Sequence, residues 1–170
     1  MTLQYPILNK HLLLGTVLAM LVSTAITAKT GDESQPIDVS ADRSEYDDNA
    51  GIQRLVGNVE IVQGTMKIRA DEIAIHLKDN RLAKIEGSGS PIRFEQQNDL
   101  NETIVGEANS IDYNAANGTL ILAGNARLKQ PRQELNSTRI VFNSRAQTVK
   151  AEGGEKGRVN IRIQPPEPDQ

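Results

Sequence analysis

The chain repeats itself at an offset of 67 residues, and no other feature constrains its fold as tightly. Without a gap, Ala41 aligns with Ala108, Tyr46 with Tyr113 and Gly51 with Gly118. The pair Gly57-Asn58 then meets Gly124-Asn125, Gln63 meets Gln130 and Ile73 meets Ile140. A one-residue deletion in the next loop brings Lys84 onto Lys150 and Glu86-Gly87 onto Glu152-Gly153. Internal repetition in a chain of 170 residues points to stacked strand units sharing one core, not to two independent domains. Such stacking makes a groove or a tube.

Strand periodicity fills the repeat. Val59-Glu60-Ile61-Val62-Gln63, Met66-Lys67-Ile68-Arg69-Ala70 and Val159-Asn160-Ile161-Arg162-Ile163 alternate apolar and polar residues, the mark of half-buried strands. No window of helical length keeps a three-and-four spacing. Turn chemistry separates the strands at Asp47–Gly51, Lys78-Asp79-Asn80, Asn114–Gly118 and Asn143-Ser144-Arg145. Glu95 to Glu102 reads as a longer polar loop between repeats spanning about 37–94 and 104–163.

A finer pattern recurs four times, at Ala41–Tyr46, Ala70–Ile75, Ala108–Tyr113 and Ser137–Phe142. In each, a small residue is followed by a short polar one, and the inward-facing set shifts by one position across it. A strand that changes parity without a loop contains a bulge or a corner. Four corners in register predict a chain folded repeatedly along one edge into two facing antiparallel sheets. Gly57 and Gly124 lie on the inward parity in mid-strand, which implies a bulge or close backbone approach, read either as space in a lumen or as tight packing between sheets.

The first 28 residues are set apart from this fold. Lys10 and His11 precede an apolar run, Leu12 to Val22, and small residues follow to Ala28, as in a secretory signal peptide cleaved after Ala28. The run is shorter than the roughly 20 residues of a membrane-spanning helix. With no cysteine, the exported chain has no disulfides and no lipid-bearing thiol, so its stability rests on burial and strand pairing. Loss of Lys10 takes the net charge from −3 to −4, and an acidic surface argues against nucleic acid, which calls for a basic face. The proline-containing end, 164–170, reads as a disordered tail.

Catalytic inventory is sparse. Beyond the leader, His76 is the one histidine, on the outward parity of its strand, and no nucleophile-elbow sequence is present. Asp42 and Asp71 occupy corner positions where Asn109 and Thr138 stand in the other copies, an exchange that suits local hydrogen bonding rather than acid–base work. Asp47-Asp48-Asn49 lacks the spacing of a calcium loop. The chain is read as no enzyme, with no metal or cofactor. Aromatic content of 3% without tryptophan disfavours a sugar-stacking surface, whereas Tyr46, Tyr113, Phe142 and Phe94 on inward positions suit a core or alkyl chains.

The run Leu55-Val56-Gly57-Asn58-Val59-Glu60-Ile61-Val62-Gln63-Gly64-Thr65-Met66-Lys67-Ile68-Arg69-Ala70-Asp71 resembles the LptA/OstA family, which takes part in lipopolysaccharide transport. Thr30-Gly31-Asp32 with Gln35-Pro36-Ile37, and Leu122–Gln130, carry the same resemblance over nearly all of the exported chain. What the resemblance implies is an all-β fold, a twisted antiparallel β-jelly roll open at both ends, occupying residues 29–163 in the periplasm. It also implies head-to-tail self-association and partnership with LptC and the N-terminal domain of LptD. Lipopolysaccharide would be held by its lipid A acyl chains in an apolar groove. Parity and the resemblance together nominate Ile37, Val39, Tyr46, Leu55, Val59, Ile61, Met66, Ile68, Ile73, Ile75, Ile111, Tyr113, Leu122, Leu128, Leu135, Ile140 and Phe142 as its lining. Two other readings stay open on the residues alone. One is a periplasmic β-sandwich adaptor that binds only proteins; the other is a glycan-active enzyme using a carboxylate pair such as Asp42 and Asp71.

Overall fold

The computed structural model describes residues 32–79, 81–155 and 157–165. The expected leader, its cleavage site and most of the expected tail lie outside them. A short 3-10 turn, Asp32–Ser34, precedes ten strands: β1 (Ile37–Ser40), β2 (Arg43–Asp47), β3 (Ile52–Gln63), β4 (Met66–Lys78), β5 (Arg81–Gln97), β6 (Thr103–Asn114), β7 (Thr119–Gln130), β8 (Gln133–Asn143), β9 (Thr148–Glu152) and β10 (Asn160–Ile163). All belong to one antiparallel sheet in which β3 to β8 lie side by side in chain order.

The two edges are split strands. β1 pairs with the second half of β3 and β2 with its first half, so the pair is one strand broken at Ala41-Asp42. At the far edge β9 and β10 divide β8 in the same way, with the break at 153–159. The first and last strands do not pair with each other, so the jelly roll is not closed.

The ladder between the six long strands, β3 to β8, is interrupted near mid-strand. On β3, Gly57 and Asn58 take φ of 83° and 47°, and between Val56 and Val59 two residues oppose one on β4. Gly124 and Asn125 on β7 repeat this bulge with φ of 75° and 50°. On β5 the bend carries extra residues around a cis Ser90-Pro91 peptide. The four corners expected from sequence are therefore joined by bends in β3, β5 and β7. On β3 and β7 the bend leaves the parity unchanged, because a bulge of two left-handed residues restores the alternation on either side, and the mid-strand glycine is its mark in the sequence.

The bends fold the sheet into two facing layers. The first holds β1, β10 and the halves of the long strands near 59–70, 92–108 and 126–137; the second holds β2, β9 and the complementary halves. Inward side chains of both layers form one apolar cluster running from Ile37 beside β3 to Val149 and Ala151 on β9. The layers come close at Gly106, where an added Cβ would stand 3.0 Å from Leu122 of the opposite layer.

The 67-residue repeat is a register in three dimensions. Val39 opposite Ile61 returns as Gly106 opposite Leu128, and Tyr46 opposite Gln53 returns as Tyr113 opposite Leu120. One part of the alignment is corrected. His76 pairs with Lys84, but its counterpart Asn143 pairs with Thr148, so the second hairpin is three residues shorter rather than one. The structural counterpart of Lys150 is thus Glu86, since Val141 and Ala74 are equivalent. The break at 153–159 restores the offset, and Ile161 corresponds to Phe94.

The polar stretch Glu95–Glu102 is also corrected. Glu95 to Gln97 continue β5, paired with Lys67 on one side and with Val105 to Thr103 on the other. Only 98–102 form the turn, in which Asn98 Oδ1 accepts from the backbone N–H of Leu100 and Glu102. Polarity there belongs to the end of a strand, where Glu95 joins an ion pair with Arg93 and Gln96 donates to Asp32.

Candidate functional site

The interior between the layers is the most distinctive chemical environment in the molecule. Of the nominated lining residues, fourteen are buried: Leu55, Val59, Ile61, Met66, Ile68, Ile73, Ile75, Ile111, Tyr113, Leu122, Leu128, Leu135, Ile140 and Phe142. Ile37 is half-buried against the same cluster. Val39 and Tyr46 are instead exposed, because β1 and β2 are edge strands with no neighbour beyond them. Ile85, Ile92, Phe94, Ile104 and Leu120 are buried with the rest. Ile92, Phe94 and Ile104 carried the parity signal, whereas Leu120 sits in the unbroken run Leu120-Ile121-Leu122, where alternation cannot select a face.

At the first edge the interior opens. A cleft of about 490 Å³ lies between β1–β2 and the halves of β3 and β4 that follow and precede the hairpins. Ile37, Val39, Ala41, Leu55, Ile75 and Leu77 line it, with Ser40, Ser44 and Gln53 as its polar members. A volume of that order falls within the range of small-molecule pockets. Further along, the strands between β3 and β8 bury their inward residues almost completely.

Gly57 and Gly124 do not provide the lumen with space. A Cβ on Gly57 would collide with the Asp42 carboxylate of the neighbouring corner, and a Cβ on Gly124 would meet the Asn109 amide. Asp42 also accepts from Asn58 Nδ2 at 2.9 Å, and its own N–H donates to the Gly57 carbonyl. The short polar corner residue of one strand therefore sits over the glycine bulge of the next. That explains the pairing of Asp42 and Asn109 with Gly-Asn in the repeat, and it occupies Asp42 structurally.

Residues just before β1 close one side of the fold. Both Asp32 carboxylate oxygens are engaged: Oδ1 accepts from the Thr65 backbone N–H at 2.7 Å, and Oδ2 accepts from Thr65 Oγ1 at 2.7 Å and Gln96 Nε2 at 2.8 Å. Gln63, the buried polar side chain among the described residues, donates to the Gln35 carbonyl. This clasp ties the segment ahead of β1 to the β3–β4 turn and to β5.

The outer faces are charged. Across the first layer, Glu60, Arg69, Glu95, Arg93, Glu107, Arg127 and Glu134 form a chain of ion pairs from β3 to β8. Hydrogen bonds from Arg69 to Glu60 and from Arg93 to Glu95 hold both carboxyls below their ordinary range. On the second layer, Lys84 bridges Glu86 and Asp112, and His76 Nε2 lies 2.7 Å from Glu86. The Lys84 hydrogen bond, opposed by burial and aided by His76, lowers the Glu86 carboxyl. His76 is therefore a paired outer-face group rather than a freely solvated one. Among the described residues no cluster of three or more His, Asp or Glu is placed to hold a metal.

This geometry has relatives. Residues 38–148 match the family model for LptA/(LptD N-terminal domain) LPS transport proteins. Lipopolysaccharide export system protein LptA of Haemophilus influenzae is 32% identical over 160 residues, covering 92% of each chain. The protein of the same name from Escherichia coli K12 is 30% identical, with 93% of this chain and 86% of the relative covered. Among solved structures, the crystal structure of LptH, the LptA-homologous periplasmic component of the lipopolysaccharide transport device of Pseudomonas aeruginosa, superposes with a TM-score of 0.73 at 25% identity, covering 79% of this chain and 99% of that one. An open, two-layered antiparallel sheet with an apolar interior, matched along most of its length, places the chain in the LptA/LptD N-terminal-domain family of lipopolysaccharide transport proteins.

Proposed function

We propose that the chain is a periplasmic carrier of lipopolysaccharide, holding lipid A acyl chains between its two layers and passing them along a head-to-tail protein bridge. The observation that carries this reading is an apolar interior that is continuous between the sheet edges and open as a cleft at β1–β2. Each methylene moved from water into such an interior gains about 0.8 kcal/mol, so one long acyl chain suffices to hold the amphiphile. Carriage needs no bond making, in keeping with relatives named as transport proteins. The exported unit would be residues 29–163, freed by cleavage after Ala28. Its partners at the two ends would be LptC, the N-terminal domain of LptD and further copies of itself, because unpaired strand edges accept added strands.

Photocrosslinking residues at Ile37 and Ile75, which both line the cleft, are expected to capture lipopolysaccharide in cells, while one at the outward Glu60 is not. A folded protein that captures none at either position overturns the reading. The alternative to be excluded is a protein-only adaptor with a permanently packed interior. Delipidated protein that takes up no labelled lipopolysaccharide or fatty acid would decide for the adaptor.

A further inference from the structure

At three of the four corners the inward position three residues after the small residue is a buried isoleucine: Ile73, Ile111 and Ile140. At the first corner that position is Ser44. Near it on β3 stands Gln53, also on the inward parity, where the second repeat has the buried Leu120. The register makes the exchange explicit. Ser44 opposite Leu55 returns as Ile111 opposite Leu122, and Tyr46 opposite Gln53 returns as Tyr113 opposite Leu120. Two polar side chains thus stand where the repeat has apolar ones, and both line the cleft of about 490 Å³ at the first edge.

Gln53 Nε2 donates to Ser44 Oγ at 2.6 Å and to the Glu45 carbonyl at 3.1 Å, which uses both of its hydrogens. Among the described residues the pair is left with one donor, the Ser44 O–H, and one acceptor, Gln53 Oε1. An alcohol is the complement of that arrangement, since it gives one hydrogen and accepts another. A carbonyl could use only the Ser44 half. The side-chain tie is not needed to hold the edge, because β2 already pairs with β3 along Arg43 to Asp47. Depth in the cleft says where on a ligand the alcohol lies. Leu55 and Ile75 at the floor are buried, whereas Ser44 is exposed and Gln53 half-buried at the rim. A chain that enters tail first sets the carbons nearest its head against that rim.

We infer that Ser44 and Gln53 form a polar station at the rim of the acyl cleft and receive a hydroxyl close to the head of the chain, so that the cleft selects 3-hydroxyacyl chains over plain chains of equal length. This rests on the carrier reading above. The ligand hydroxyl donates to Gln53 Oε1 and accepts from the Ser44 O–H. Apolar walls alone discriminate weakly between chains that differ by a hydroxyl. A site built to hydrogen-bond one discriminates better, because the wrong ligand leaves its polar groups unpaired. The corners of β4, β6 and β8 carry isoleucine instead, so the station is confined to the edge at which the cleft opens.

Calorimetric titration of delipidated protein with tetradecanoate, 3-hydroxytetradecanoate and 12-hydroxytetradecanoate, each below its micelle threshold, tests the station. The 3-hydroxy acid is expected to bind about two- to tenfold tighter than tetradecanoate. The 12-hydroxy acid, whose alcohol falls beside Leu55 and Ile75, is expected to bind no tighter than tetradecanoate. Ser44→Ile with Gln53→Leu, the residues of the second repeat, should bring the preference for the 3-hydroxy acid down to none. Ser44→Ala removes only the donor and should reduce the preference part of the way, which keeps the test decisive if the double variant fails to fold. Equal affinities for the plain and 3-hydroxy acids overturn the station and leave carriage standing. So does an equal gain from the 12-hydroxy acid, or a preference that neither folded variant moves. Wild-type protein that binds none of the three acids overturns the carrier reading, and the station with it.

Discussion

The rings of Phe94 and Tyr113 meet across the two layers, 6.4 Å between centroids and tilted by 37°. Phe94 comes from the end of the first repeat and Tyr113 from the start of the second, so this contact fastens the repeats as well as the layers. Tyr113→Ala is expected to destabilise the fold by about 3–5 kcal/mol, the scale of emptying an aromatic site in a core. Tyr46→Ala, at the equivalent position on the exposed edge, should leave monomer stability within about 0.5 kcal/mol. Urea unfolding of the two variants at a concentration where the protein is monomeric tests the contrast, and equal losses would contradict it.

Gly57→Ala is expected to cost more than a residue's ordinary strand preference would suggest. Its φ of 83° is poorly tolerated with a Cβ, and that Cβ would collide with the Asp42 side chain. Gly→Ala at such a site costs more than about 1 kcal/mol. Adding Asp42→Gly removes the collision but not the backbone strain, so the double variant should recover part of the loss. Full recovery in thermal melts would show that sterics alone set the requirement.

Asp32→Ala removes the acceptor of three hydrogen bonds from Thr65 and Gln96. Bonds to a charged group are each worth roughly 1.5–3 kcal/mol, reduced here by the partial exposure of the site. The Thr65 amide and β1 should exchange hydrogen faster, while amides in β6 and β7 keep their protection. Uniform acceleration along the chain would instead mark a general loss of stability.

Acid should weaken the outer ion-pair chain in a definite window. Hydrogen bonding from Arg93 lowers the folded-state Glu95 carboxyl below its usual 4.5, and Lys84 does the same for Glu86. A carboxyl depressed on folding stabilises above its unfolded pKa and loses that contribution as pH falls through the folded value. Stability should therefore be flat at neutral pH and decline below the ordinary glutamate range. Glu95→Gln should flatten the decline, as should high salt, because these groups are largely solvated. An acid limb identical in Glu95→Gln and wild type would rule out Glu95 as a contributor.

Strand faces were legible in the residues themselves. Alternation marks Ile61, Ile68, Ile73, Ile140 and Phe142 as inward, and the structure buries each of them. The repeat and the corner motif were equally local, since a parity shift at Ala70 or Ala108 is written in the spacing of its neighbours. Gly57 was visible as the site of a bulge or close approach, but its partner was not, because Asp42 reaches it from the adjacent strand.

By itself the sequence determined which face of each strand is apolar, that the units are duplicated, and that they fold along common corners. Only the tertiary structure decided which apolar residues are covered. Tyr46 and Tyr113 stand at the same place in the repeat, yet one is 47% exposed and the other 8%. Periodicity encodes direction within a strand, whereas burial depends on the strand next door, and β1, β2 and β10 have none on one side. The slide that makes Glu86 rather than Lys84 the counterpart of Lys150 arises in the same way, from hydrogen-bond pairing between strands rather than residue identity along one.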